Sequence, residues 1–394
     1  MRTVHAARAA RGRSANSLMT GGVRHAHHAA TVPASRRTAA LHIPSLDGLR
    51  AVSFLIVFFA HSGISGVGGI PGGFGVTVFF YLSGFLITTL MRMERQTTGT
   101  VNLRHFYLRR ALRILPPFYL ILFIACGLTL LGLLPGQLSP TVVLAQSLHV
   151  SNYWLIWNGA DGSAAGTVPY WSLAVEEHFY LLFPVLYLGL ARVMSRHAQA
   201  RSVLALCALI CVWRCILVVV FGVSNDRTYM GSDTRFDSIF FGCALALGMN
   251  PVVDAPHGSE RLWKWLLFPA ALALLVCTFA FRPDWFRETI RYTLQGIALT
   301  PVFVTAIRFP DWLPFRLLNT KPGAFIGLLS YSLYLIHQVI LFLFEYRLPR
   351  MHSLPRAILA LLVSVIIAAA IHYAVEKPSA RARKRLTRRA ALGA

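Results

Sequence analysis

The chain has 394 residues, 56% of them hydrophobic and only 13% charged, with a mean hydropathy of +0.57. A soluble fold of this size needs far more charge to cover its surface, so the composition excludes one and points to an all-α integral membrane protein. Lys and Arg number 38 against 15 Asp and Glu, a formal net charge of +23. Membrane proteins concentrate Lys and Arg in cytoplasmic loops and tails against anionic lipid, so this excess calls for no nucleic acid, and no nucleic-acid reader motif is visible.

Residues 1–42 hold Arg, Ala, Ser and His without an acidic residue or an apolar run, and so read as a disordered basic cytoplasmic tail rather than a secretory signal. An organelle transit peptide or a histidine metal tract has a similar composition, but nothing else in the tail favours either. Thereafter apolar segments long enough to cross a bilayer recur. They fall at about 45–64, 73–92, 114–134, 174–191, 203–222, 235–249, 264–281, 293–307, 323–344 and 356–375, which gives about ten transmembrane helices. The first and sixth are marginal, because Asp47 and Arg50 open one and Arg235 and Asp237 the other.

Under ten spans the most basic segments, namely the two ends and residues 92–113, 192–201 and 308–321, fall on one side, so both termini are expected in the cytoplasm. The opposite side carries the longest connection, 135–173, whose Tyr153, Trp154, Trp157, Tyr170 and Trp171 are expected at interfacial depth. The six cysteines all lie inside apolar stretches, where a disulfide framework is not expected. Cys207, Cys211 and Cys215 recur at helical spacing without an accompanying His or acid, which reads as a helix contact rather than a metal face. The glycines between Gly63 and Gly75 suit a flexible re-entry between the first two spans, and no Lys follows them in a P-loop arrangement.

Several ionisable residues sit where burial makes them costly. In IPSLDGLRAVSFLIVFFAHSG, Arg50 and His61 are eleven residues apart, which is three turns plus about 20°, so they share one helix face about 16 Å apart along the axis. His61 thus falls in the outer half of the membrane, as a candidate for proton transfer or as a plain interhelical hydrogen bond. PYWSLAVEEHFYLLFP puts Glu176 and Glu177 near the outer end of the fourth span. Consecutive residues diverge by about 100°, so one of them is expected to point squarely into a shared pocket and to orient the His61 imidazole. The alternative is that both decorate a helix N-terminus. In RHFYLRRALRILPPFYL, Arg110 and Arg113 are one turn apart at the cytoplasmic end of the third span, suited to a phosphate-bearing ligand or to positive-inside anchoring. Arg235 and Asp237 in TRFDSIFFGCALA, and Tyr331 and His337 in SYSLYLIH, are further candidate pocket residues, with charge pairing between helices as the other reading.

Taken together these segments resemble the acyltransferase 3 family of bacterial membrane acyltransferases. The match covers most of residues 43–378, and its carriers are the Arg50 and His61 pair, FFYLSGFLIT, RRALRI, WSLAVEEHFY, RFDSIFFG, SYSLYLIH and the EKP at 376–378. Ala174 and His178 stand where Ser and Gln are more usual. The resemblance implies a bacterial inner-membrane enzyme over residues 43–378; basic cytoplasmic tails are expected at 1–42 and 379–394, the latter in place of the hydrolase-like domain that some relatives carry after the last helix. It further implies transfer of an acyl group, usually acetyl, from cytoplasmic acyl-coenzyme A to a hydroxyl of a surface polysaccharide, a lipopolysaccharide or a lipid-linked precursor. Arg50, Arg110 and Arg113 would hold the coenzyme. His61 would act as base or transient acyl carrier with Glu176 or Glu177 beside it, and no metal is implied. A tailoring acyltransferase for a macrolide-like molecule uses the same machinery. A proton-coupled transporter is the rival from another class, although no paired broken helices or repeats are visible.

Overall fold

The computed structural model describes residues 43–64 and 71–383, and all its regular elements there are helical. The basic tail expected over 1–42, the middle of the glycine-rich re-entry and the end of the C-terminal basic segment lie outside the described residues. The elements in order are α1 (Pro44–His61), α2 (Gly72–Thr98), α3 (Leu103–Leu130), α4 (Pro140–Ser147), α5 (Ser151–Asn158), α6 (Trp171–Val193), α7 (Arg196–Val219) and α8 (Asn225–Met230). They continue with α9 (Ser232–Gly248), α10 (Phe268–Ala280), α11 (Asp284–Glu288), α12 (Arg291–Arg308), α13 (Leu313–Arg316), α14 (Lys321–Arg347) and α15 (Ser353–Ile371). A π-helical turn, Leu262–Leu267, leads into α10, and another, His372–Glu376, prolongs α15.

Seven helices among the described residues are long and apolar enough to cross a membrane: α2, α3, α6, α7, α10 with its leading turn, α14 and α15. The three other long helices are α1, α9 and α12, of 18, 17 and 18 residues, so each of the ten apolar runs is helical while seven meet the demands of a span. Local chemistry sets the ends. Asn102, Ser195 and Thr320 accept the His105, Ala198 and Gly323 amides to cap α3, α7 and α14, and Gly99, with φ +79°, closes α2 in the left-handed conformation. The connection 135–173 is not a bare loop, since α4, α5 and a 3₁₀ turn at Val168–Tyr170 lie within it. Trp157 is exposed there, whereas Tyr170 and Trp171 are buried in the protein.

The centre of the bundle is α9. It packs against α2 and α7, while α1 packs against α2 and α14, and α14 against α15. A Cβ at Gly84 would strike the Ile239 carbonyl and one at Gly242 the Tyr81 carbonyl, so each of α2 and α9 gives the other's backbone room through a missing side chain. At the periphery Leu209 and Val219 on α7, Leu266, and Ile366 on α15 are exposed apolar groups, the surface that lipid covers. The helix ends sort onto two faces. Arg92 near the end of α2, Arg196 at the start of α7 and Asp254 after α9 share one ion cluster, and on the other face Arg347, ending α14, donates to the Gly132 carbonyl just beyond α3. Alternating helix direction produces this sorting.

Candidate active site

A cavity opens where α1, α2, α3, α6 and α14 meet, and the sequence motifs supply its walls at helical spacing. Arg110, Arg113 and Ile114 line it from α3 as an i, i+3, i+4 set, and Arg50 lines it from α1. From α6 come Ser172, Leu173, Glu176, Glu177 and Tyr180, and from α14 Ser330, Tyr331 and Tyr334. The α6 stripe runs i, i+1, i+4, i+5, i+8, wide enough that both glutamates line the cavity. The expectation that at most one of two consecutive carboxylates points squarely into a shared pocket is corrected: the five α6 lining residues span an arc of about 140°, which takes in both glutamates.

Polar contacts hold the walls in place. Tyr180 Oη and Ser83 Oγ are 2.5 Å apart, and the Arg110 guanidinium lies over the Tyr180 ring, 5.2 Å from its centroid. The Tyr331 hydroxyl donates to the Ile114 carbonyl at 2.9 Å and ties α14 to α3. Arg50 reaches back one turn to Asp47, at 3.2 Å. Glu176 has Arg110, Arg113 and Arg50 as its charged neighbours, while Glu177 has Glu176 and Arg110. Three guanidiniums thus lie near two cavity carboxylates, with Asp47 as the counter-ion of Arg50. Arg110 and Arg113 form no ion pair within salt-bridge distance among the described residues, and both line the cavity.

The far wall of the cavity is Tyr334, whose hydroxyl lies 2.7 Å from Ser172 Oγ and 3.2 Å from the Pro169 carbonyl. One turn further along α14, His337 is wholly buried, with Nδ1 2.8 Å from the Tyr334 carbonyl oxygen. Its Nε2 lies 3.2 Å from Nδ1 of His61, which closes α1 and is exposed. The sequence reading put Glu176 or Glu177 on that imidazole; the hydrogen-bond partner there is His337, and the glutamates line the arginine cavity instead. The reason is topological. The packing of α14 along α1 brings His337 level with His61, whereas α6 turns its glutamates toward α3.

Arg235 and Asp237 lie outside the cavity walls and do different things. Asp237 pairs with Arg214 of α7 at 2.8 Å, both side chains fully buried, and also accepts from Thr293 Oγ1 at 2.9 Å. Arg235 is buried over the Tyr292 ring at 4.0 Å and donates to Thr77 Oγ1 at 2.9 Å; Phe80, also under its guanidinium, is the side chain it shares with the cavity. Arg214 escaped the sequence reading, although a lone Arg in the apolar run 203–222 was a signal for it. Tyr334, Ser83 and Tyr180 escaped as well, since a hydroxyl in an aromatic-rich helix carries no mark of which cavity it meets. His178, next to the glutamates, bonds through Nδ1 to Ser232 Oγ at 2.7 Å, outside the cavity walls.

The family described as an acyltransferase domain, Acyl_transf_3, matches residues 43–373. The chain belongs to this family. Among curated proteins it is similar to the peptidoglycan O-acetyltransferase OatA of Listeria monocytogenes, 31% identical in an alignment of 360 positions that covers 86% of this chain and 56% of the relative. It is also similar to the O-acetyltransferase OatA of Staphylococcus aureus, 30% identical in an alignment of 353 positions that covers 86% of this chain and 57% of the relative. The chain therefore spans little more than half the length of these relatives. No solved structure matches it. The described residues of this acyltransferase-family member include the arginine cavity and the histidine pair, both within the matched region.

Proposed function

We propose that the chain is a membrane O-acyltransferase that moves an acyl group, acetyl first among them, from cytoplasmic acyl-coenzyme A to a hydroxyl of a cell-envelope glycan. The observation that carries this reading is one continuous set of helices bearing Arg110, Arg113 and Arg50 around a cavity, with Tyr334 at its far wall and the His61–His337 pair one turn beyond. The guanidiniums suit the coenzyme's phosphates, which they can bind bidentately, and Glu176 and Glu177 offset the mutual repulsion of the cluster. Acceptors to test first are peptidoglycan fragments, since the named relatives are peptidoglycan and O-acetyltransferases, and then other envelope polysaccharides, lipopolysaccharide and lipid-linked precursors.

In this reading α1, α9 and α12 join the seven longer helices as ten spans of a bacterial inner membrane, with both termini and the Arg92–Asp254–Arg196 face in the cytoplasm. The donor enters from that face beside Arg110 and Arg113, and its thioester is drawn along the Arg50 side of α1 toward His61. There His61 takes the proton of the acceptor hydroxyl as the oxygen bonds to the acyl carbon. The carbon–sulfur bond breaks, and the proton passes from the imidazolium to the departing thiolate, so an ester and free coenzyme A leave.

The test is coenzyme A release from acetyl-coenzyme A by the purified protein in detergent, with a peptidoglycan-derived acceptor added and donor binding measured alongside. Release by the wild type and its loss in His61→Ala, with donor binding retained, is the expected result. Undiminished release in His61→Ala would remove the mechanism, and absence of both binding and consumption of acetyl-coenzyme A would remove it as the donor.

A further inference from the structure

Resting on the reading of His61 as the base, we infer that His337 is a positioning residue that selects the tautomer of His61, keeping its hydrogen on Nδ1 and its lone pair on Nε2. The argument starts at the Tyr334 carbonyl oxygen, 2.8 Å from His337 Nδ1. A carbonyl only accepts, so the hydrogen of that bond sits on His337 Nδ1. The ring itself is wholly out of water, edge-on to Phe54 with centroids 5.8 Å apart and tilted against Phe58 at 6.3 Å. A charged ring there would forfeit its hydration with no carboxylate in hydrogen-bond contact among the described residues, so the neutral form suits the site. A neutral imidazole has one hydrogen, and with that hydrogen on Nδ1 the Nε2 of His337 is an acceptor.

The atom 3.2 Å from that acceptor is Nδ1 of His61, which must therefore be the donor. Neutral His61 is left with its lone pair on Nε2, the tautomer that free imidazole side chains favour less. Two hydrogen bonds in series, from His61 to His337 and from His337 to the helix carbonyl, thus orient the base as a carboxylate orients the histidine of a hydrolytic triad. When His61 Nε2 takes the hydroxyl proton, its Nδ1–H bond to His337 becomes charge-assisted, which stabilises the imidazolium without a carboxylate in contact. The exposure of the two rings fits the division of labour, since His61 is exposed and His337 is not.

The experiment compares the wild type, His337→Leu, His337→Gln and His61→Ala, each purified in detergent, by steady-state transfer from acetyl-coenzyme A. His337→Leu is expected to lower kcat about 100-fold with KM for acetyl-coenzyme A unchanged, in the range reported for losing the correct tautomer or general base. His337→Gln, whose amide oxygen can accept the same hydrogen, is expected to recover about tenfold of that loss. A His337→Leu enzyme within about threefold of the wild type, beside an inactive His61→Ala, would overturn the inference and leave the reading of His61 standing. An active His61→Ala would overturn both. Should the leucine variant fail to fold, nitrogen-15 NMR of ring-labelled wild-type protein decides, with His61 assigned by its absence in His61→Gln. A hydrogen-bearing Nδ1 and a bare Nε2 are expected, and the opposite pattern would refute the assignment.

Discussion

Replacing Asp237 by Ala tests what the buried charges of α9 are for. Its carboxylate is one half of a pair with Arg214 at 2.8 Å in which neither side chain has any exposure. It also accepts the Thr293 hydroxyl at 2.9 Å and the Ser238 amide at 2.8 Å. Arg214 keeps further bonds to the Thr289 carbonyl at 2.8 Å, the Thr234 carbonyl at 2.6 Å and Thr293 Oγ1 at 2.6 Å, so it stays fixed in place when its counter-ion goes. An uncompensated guanidinium is then left inside the protein, at a cost of about 3–5 kcal/mol. The assay is equilibrium unfolding in mixed micelles, followed by the loss of helical signal. The same measurement on Arg214→Met/Asp237→Leu should return most of the stability, because removing both charges removes the stranded one. A single-variant loss below about 1 kcal/mol, the range of an exposed pair, would refute the reasoning, as would a double variant no better than the single.

Three further outcomes are expected. Gly84→Ala drives a methyl into the Ile239 backbone and should cost at least about 1–3 kcal/mol, with α2 and α9 forced apart, whereas Gly127→Ala, inside α3 with open space around it, should stabilise by about 0.4–1 kcal/mol in the same unfolding assay. Burial alone would raise the Asp254 carboxyl, but hydrogen bonds from Arg92 and the Asn250 amide and the charges of Arg92 and Arg196 outweigh it and hold it at about 2. The folded value lies below the unfolded one of about 3.9, so this stabilisation is present above pH 4 and drains away as pH falls toward 2; thermal melts of the wild type should weaken over that window more than those of Asp254→Asn. Arg113→Ala should raise KM for acetyl-coenzyme A about tenfold with little change in kcat, the scale of one charge-assisted hydrogen bond to phosphate, and an unchanged KM would take Arg113 out of donor binding.

Hydropathy located all ten long helices because a run of apolar residues has no other way to satisfy its backbone, yet it misjudged where several begin. The third run starts at 114 by its apolar residues, but α3 starts at Leu103, capped by Asn102, and spends three turns on Arg and aromatic residues. Hydropathy discounts charged turns that are good helix formers, and these are the turns that carry Arg110 and Arg113 into the cavity. Cost was legible too. Arg50, His61, Glu176, Arg235, Asp237 and His337 all stood out as groups that a membrane protein does not bury without reason.

What the sequence could not disclose was the partner of each such group, and the partner decides the role. Asp237 sits two residues from Arg235, yet its ion pair is with Arg214 on another helix, while Arg235 is held by aromatic rings. His61 and His337 meet across 276 positions of chain, a contact that no local periodicity encodes. The glutamates share a pocket because α6 offers a stripe wider than a single residue. A buried ion with its counter-ion at hydrogen-bond distance and three more bonds around it is a structural device. A pair of imidazoles with one ring buried, one exposed and a carbonyl at the end of the chain fixes the orientation of the exposed ring. That difference in surroundings, rather than residue type, separates the part of the bundle that holds it together from the part assigned to the reaction.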